Sequence, residues 1–200
     1  GKAVTEIYDD KMLVQNPPMP PLEREELDRV YSLPYMRTYH PIYESEGGVP
    51  AIEEVRFSIT HNRGCFGACN FCAIAFHQGR EVRSRSIESV VREAEIIAAM
   101  PDFKGTISDI GAPSANMYRM EGRNQELCQR CKRPSCLHPK LCPNMNNDHS
   151  RLIELYRKVR EVKGIKKAFI GSGIRYDRFE NNDYLKEVVI HHTSGRLKVA

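Results

Sequence analysis

The segment Cys65-Phe-Gly-Ala-Cys69-Asn-Phe-Cys72 places three thiols within eight residues. Bringing three thiolates from so short a stretch onto one group demands a strongly curved loop. Gly64 and Gly67 supply the torsions for such a loop and let the backbone come close to whatever it holds. The intervening Phe66, Ala68, Asn70 and Phe71 include no acid, which suits an anionic iron–sulfur cluster. No fourth cysteine lies nearby. A cubane held by Cys65, Cys69 and Cys72 keeps one iron with an open coordination position, and an open position is where a metal centre does chemistry. A structural zinc site completed by His61 or His77 is the alternative. Zinc patterns usually pair two C-x2-C knuckles, or a cysteine pair with a histidine pair, and this spacing fits neither well.

A second group, Cys128-x2-Cys131-x4-Cys136-x5-Cys142, gives four thiols in fifteen residues. Arg130, Lys132, Arg133 and Lys140 offset their negative charge, and His138 is close by. Four soft ligands in a short segment suit a closed zinc site or a second iron–sulfur cluster. The surrounding stretch 119–147 has no apolar periodicity, so a bound metal would supply much of its folding free energy. Seven cysteines is an odd number for a disulfide framework, and their clustering points to metal binding in a reducing compartment, the cytoplasm.

The first fifty residues read differently from the rest. Asn16-Pro-Pro-Met-Pro-Pro21 is a polyproline-like strap. Glu23 to Tyr31 suits a short helix with Leu22, Leu27 and Val30 inward. Tyr31, Tyr35, Tyr39 and Tyr43 recur every four residues, a spacing that invites base stacking. Pro34 and Pro41 break the helix this would need, so these rings are expected to pack on the neighbouring domain. The organisation is then residues 1–50 as a Pro-rich N-terminal extension and 51–200 as a core carrying the Cys-rich insertion 119–147.

From residue 51 strand and helix alternate. Val55 to Thr60 reads as a strand ending before the cysteine loop. Ser86 caps a helix to Met100, stopped by Pro101. Gly105 to Ile110 is a second strand. A helix capped by Asp148 or Ser150 runs through Val162, Gly164 ends it, and Lys167 to Gly171 is a third strand. Asp183 to His191 reads as helix, and Leu197 to Ala200 begins a fourth strand. Repeated β-then-α units predict an α/β fold with a parallel sheet. The hydrophobic fraction of 40% and charged fraction of 28% are ordinary for a soluble globular chain. No apolar run approaches the ~18 residues of a membrane span, and Gly1-Lys-Ala-Val-Thr-Glu has no signal-peptide pattern. The net charge of +4 permits a nucleic-acid partner without calling for one. Arg80, Arg83 and Arg85 follow the cysteine loop and can serve an anionic ligand, with solvated surface charge the ordinary reading. His191-His192 reads as a surface pair at a helix end.

C-x3-C-x2-C with an aromatic residue before its last cysteine resembles the signature of radical S-adenosylmethionine enzymes. Arg56-Phe-Ser-Ile-Thr-His-Asn-Arg-Gly-Cys65 through Arg83-Ser-Arg-Ser86 is similar to the YgiQ-type branch of that superfamily. So are Leu13-Val-Gln-Asn-Pro-Pro18, Tyr31-Ser-Leu-Pro-Tyr35, Gly105-Thr-Ile-Ser-Asp-Ile-Gly-Ala-Pro-Ser-Ala-Asn-Met-Tyr118 and Phe169-Ile-Gly-Ser-Gly-Ile-Arg-Tyr-Asp177. The resemblance implies a partial (β/α)6 radical SAM barrel, truncated here after about the fourth strand, so that the chain is expected to be a fragment. It implies a 4Fe-4S cluster whose open iron binds S-adenosylmethionine. An electron, from a donor such as flavodoxin or ferredoxin, then yields a 5′-deoxyadenosyl radical that abstracts hydrogen from a substrate.

Ligand sites in parallel α/β folds lie at the carboxyl ends of strands. Many radical SAM enzymes carry Gly-Gly-Glu after the second strand to hold the cofactor's amino group. Ser108-Asp-Ile-Gly-Ala112 stands there instead, so Ser108, Asp109 or the backbone at Gly111 is expected to take over. In Gly171-Ser-Gly-Ile-Arg-Tyr-Asp177, Ser172 and Arg175 are expected partners for the cofactor's ribose hydroxyls and carboxylate, although glycines after a strand often only make a turn. Family analogy puts Phe71 near the adenine, against ordinary core packing. The competing assignment for the whole chain is a non-catalytic zinc-binding module with a basic surface able to contact RNA.

Overall fold

The computed structural model describes residues 2–17, 19–176 and 182–199. Pro18 of the strap, Asp177 of the third motif and Ala200 of the expected fourth strand lie outside the described residues.

The chain opens on a hairpin of β1 (Val4–Tyr8) and β2 (Lys11–Gln15), which the proline-rich sequence did not announce. Both strands are exposed along their whole length, including Ile7, Met12 and Leu13. α1 (Arg24–Tyr31) follows the strap, with Leu27 buried and acidic Glu25 and Glu26 at its positive end. A 3-10 turn, Pro41–Glu46, and a single helical turn α2 (Ile52–Val55) lead into the core. α2 occupies the start of the segment expected as strand, so β3 is confined to Ser58–Thr60.

The remaining elements are β4 (Asn62–Arg63), α3 (Ile74–His77), β5 (Arg83–Ser84), α4 (Ile87–Ala98), β6 (Thr106–Ile107), β7 (Asp109–Gly111), α5 (Gln125–Arg130), α6 (Ser150–Glu161), β8 (Lys167–Ala168) and α7 (Asn182–Glu187). β6 and β7 are one extended run broken at Ser108. β3 pairs in parallel with β7, and β6 pairs in parallel with β8. Ser108 N–H donates to Phe57 O (3.0 Å) and Ile110 N–H to Phe169 O (2.8 Å), which joins the pairs into a three-stranded parallel arrangement. α4 lies between the first and second strands in sequence, and α6 between the second and third. No closed barrel forms among the described residues. In place of a fourth strand there is one parallel bridge, between Ile174 and Val199.

α4 forms where expected because its start is well capped. Ser86 Oγ accepts from Ser89 N–H at 3.0 Å, and Ser86 N–H donates to the Asp28 carboxylate. Val90, Ala94 and Ile97 face inward and pack with Leu155, Val159 and Ile110. Gly164, at φ +97°, makes the reversal from α6 into β8. α7 stops at Glu187, and a five-residue π-helix, Val188–His192, completes the segment read as one helix. Among the described residues no helix is long and apolar enough to cross a membrane.

Two surface expectations are corrected. Arg85 is 1% exposed: it donates to Thr60 O (2.9 Å), Ser89 and the Glu93 carboxylate, and lies 4.0 Å over the Tyr31 ring. Glu93 also pairs with Arg37 at 2.6 Å, so α1 and the segment after it are tied to α4 through charge. His192 does end the π-helix, but it is fully buried there, with Nδ1 2.6 Å from Ala168 O of β8.

Candidate metal centre

The cysteine loop grows out of the sheet. His61 N–H donates to Gly111 O at 3.0 Å, and β4 then pairs antiparallel with β5, closing the base of the loop. Gly64, at φ +82°, starts it, where a β-carbon would collide with the Glu81 carbonyl. Gly64 N–H donates to Gln78 Oε1 (3.1 Å) and Cys65 N–H to Gly79 O (3.1 Å). Ala68 takes φ +49°, a left-handed turn between the first two cysteines, and Cys72 N–H donates to Cys69 O (3.0 Å). The curvature expected from the cysteine spacing is therefore built from Gly64, Ala68 and the Cys69–Cys72 turn.

The three thiols are free and half-buried. Gly67 N–H points at Cys65 Sγ (3.4 Å). A β-carbon on Gly67 would stand 3.3 Å from Cys65 Sγ, 3.6 Å from Arg175 Nη1 and 3.7 Å from Cys69 Sγ. Two sulfurs and a guanidinium thus gather over the bare face of one glycine. Soft donors, a backbone N–H aimed at sulfur and a nearby cation fit an anionic iron–sulfur cluster. Among the described residues no three His, Cys, Asp or Glu side chains close on a single ion. Thiolates of a cubane each take a different iron and stand farther apart than the ligands of one tetrahedral zinc. His61, one candidate zinc ligand, is buried edge-on to Tyr118, with ring centres 5.3 Å apart. Burial lowers its pKa to about 3, with the nearby Arg85 charge acting in the same direction. His77 is exposed at the end of α3.

At the carboxyl ends of the second and third strands, Asp109 is the organising group. Its carboxylate accepts from Gly171 N–H (2.8 Å), Ser172 N–H (3.1 Å) and the Ser172 hydroxyl. Gly111 is packed so tightly here that a β-carbon would collide with Ser172 Oγ and the Asp109 carboxylate. Ser108 is exposed. Arg175 reaches the cysteine loop, with Nη1 3.7 Å from Cys69 Sγ. Its backbone is held from both sides by buried Asn116, which accepts from Arg175 N–H (2.9 Å) and donates to Arg175 O (2.8 Å). Phe71 is 92% exposed beside the cysteines and is no part of the core.

The structure therefore brings Cys65, Cys69 and Arg175 together, and Gly111 and Ser172 together with Asp109. Asn116 had no assigned role in the sequence. A lone amide inside the otherwise apolar Ala115, Met117 and Tyr118 was its one signal.

The second cysteine group docks against the first. Ser135 Oγ donates to Gly67 O (2.7 Å) and Cys136 N–H to Phe66 O (3.1 Å). Cys128, on α5, Cys131, Cys136 and Cys142 line one cavity of about 740 Å³. Burial raises the Cys136 thiol pKa, and neighbouring Cys142 adds to the shift.

A family model described as Radical SAM N-terminal matches residues 1–58. A UPF0313 protein of Bacteroides thetaiotaomicron is 48% identical over 98% of this chain and 33% of its own length. UPF0313 proteins of Clostridium botulinum (strain Okra) and Clostridium perfringens (strain ATCC 13124) are 50% and 52% identical over the whole chain, covering 32% and 31% of their lengths. The chain spans about a third of the length of these relatives. Identity near one half from end to end, with the N-terminal family match, places this chain in the UPF0313 family, the YgiQ-type branch of the radical SAM proteins.

Proposed function

We propose that this chain belongs to a radical SAM enzyme in which Cys65, Cys69 and Cys72 hold three irons of a 4Fe-4S cluster and leave the fourth for S-adenosylmethionine. The gathering of Cys65 Sγ, Cys69 Sγ and Arg175 Nη1 over Gly67 carries this reading. When bound, cluster and cofactor supply one-electron chemistry that breaks a carbon–sulfur bond and leads to hydrogen-atom abstraction from a substrate.

The chain's own residues have separable tasks in this reading. Arg175 opposes negative charge at the cysteine loop and serves the cofactor's carboxylate, with Asn116 fixing its backbone. The Ser172 hydroxyl is engaged by Asp109, so it shapes the ribose side of the site through the strand-end turn. With the Asp109 carboxylate committed to that turn, exposed Ser108 and the backbone at Gly111 are the groups left to replace the Gly-Gly-Glu contact. Phe71 offers an uncovered apolar ring for the adenine. The electron comes from a flavodoxin- or ferredoxin-type donor, and the seven free thiols fit a reducing cytoplasm.

Cys69→Ala in the full-length protein, loaded with iron and sulfide under anaerobic conditions, tests the ligand assignment. Loss of about four irons per chain relative to the parent is expected. Unchanged iron content would exclude the triplet as a cluster site.

A further inference from the structure

We infer that Cys128, Cys131, Cys136 and Cys142 hold a second iron–sulfur cluster, packed against the loop of the first. Chain segments with no regular pattern bring these thiols to one cavity. α5 places Cys128, with Asn124 capping its start by accepting from Leu127 N–H (3.2 Å). Cys131 N–H donates to Cys128 O (3.1 Å), and Cys142 N–H to Cys136 O (2.8 Å), so each pair is joined by a local turn. Asn144 Nδ2 lies 3.3 Å from Cys128 Sγ, an amide donor aimed at sulfur as cluster sites require. Gly122 is pressed against Cys128 Sγ so closely that a β-carbon has no room there.

The metal class follows from the donors and the space. Four thiolates with no histidine or carboxylate in the set are soft ligands. They border a cavity of about 740 Å³, which has room for a multi-iron core, and among the described residues no three of these thiols close on a single ion as one tetrahedral zinc would need. Arg80 lines the same cavity and acts on the Cys136 thiol as a cation, while Arg83, also in the lining, is paired with Glu81 at 2.8 Å. The two cysteine groups share one apolar cluster: Phe66, Met117, Met120 and Met145 are buried, and Cys65, Cys136 and Cys142 all pack against them. Nothing here depends on S-adenosylmethionine binding at the triplet.

The test is made on the full-length protein, reconstituted anaerobically with ferrous iron and sulfide in the presence of zinc. Parent protein is expected to carry about eight irons, and the triple variant Cys65→Ala/Cys69→Ala/Cys72→Ala about four, with the visible absorption of a cluster. A triple variant that holds one zinc and no iron, or no metal, overturns the inference. The complementary variant Cys136→Ala/Cys142→Ala guards against simple misfolding of the first. It is expected to lose about four irons, and iron content equal to the parent's overturns the inference. A parent protein with about four irons, all of them lost in the triple variant, overturns it as well. Failure of the triplet as a radical centre would show separately, as a signal indifferent to S-adenosylmethionine in a protein that still holds the second cluster.

Discussion

Asp109, the first residue of β7, reaches across to accept both the backbone N–H (3.1 Å) and the hydroxyl of Ser172 in the loop after β8. One carboxylate thereby fixes the turn that leads to Arg175. Hydrogen bonds to a charged acceptor contribute more than neutral ones. Asp109→Ala is expected to destabilise the fold by about 2–4 kcal/mol and Ser172→Ala by about 1 kcal/mol. Urea unfolding checks both, and equal losses in the two variants would contradict the assignment of Asp109 as the hub.

Asn116 holds Arg175 by two backbone hydrogen bonds from a fully buried position. Asn116→Ala leaves a partly buried N–H and C=O without their partner, at a cost of about 1–3 kcal/mol. Arg175→Gln is expected to weaken S-adenosylmethionine binding about tenfold or more, the worth of one charge-assisted hydrogen bond. Calorimetric titration of the cluster-loaded protein reads the affinity, and wild-type binding by Arg175→Gln would remove Arg175 from the site.

Glu93 neutralises buried Arg85 and also meets Arg37. Removing the acid strands a cation that is 1% exposed. Glu93→Ala is expected to cost about 3–5 kcal/mol, far more than Arg37→Ala, which leaves Glu93 still paired. Thermal melts of the two variants would show the order, and a milder effect of Glu93→Ala would contradict it.

His61 is neutral in the folded protein because burial lowers its pKa from 6.5 to about 3, and burial lowers that of His192 as well. The unfolded chain therefore binds more protons below pH 6.5, and stability falls as pH drops through that value toward 3. The slope due to His61 approaches about 1.4 kcal/mol per pH unit once the unfolded histidine is fully charged. Arg85 is the charge that acts on His61, while Glu187 and Arg160 act on His192. His61→Phe, which keeps an aromatic ring between Tyr118 and Tyr156, is expected to flatten the decline between pH 6.5 and 5. A profile identical to the parent's would mean that His61 is not the group responsible.

Much of this architecture was legible because local signals agreed with tertiary demands. Ser86, Pro101 and Gly164 bound their helices as their chemistry dictates, and Val90, Ala94 and Ile97 recur at helical spacing. The cysteine loop was legible for a similar reason, since few folds need three thiols so close together. The exposed hairpin was not, because its apolar residues lack a buried face in this chain and sit beside prolines that suggest a strap. The burial of Arg85 and His192 was hidden too. It depends on partners far along the chain or in a neighbouring element, Tyr31 and Thr60 for one and Ala168 for the other. Asp109 was named for the site, but its role as a clamp needed the register that sets β7 beside the loop after β8.

The most direct test of the radical SAM reading is low-temperature electron paramagnetic resonance of the reduced, anaerobically reconstituted full-length protein, with and without S-adenosylmethionine, in parent and Cys69→Ala forms. A reduced-cluster signal that changes on adding S-adenosylmethionine in the parent, with that change lost in Cys69→Ala, is the expected result. A parent signal indifferent to S-adenosylmethionine, or zinc in place of iron at both cysteine groups, would contradict it.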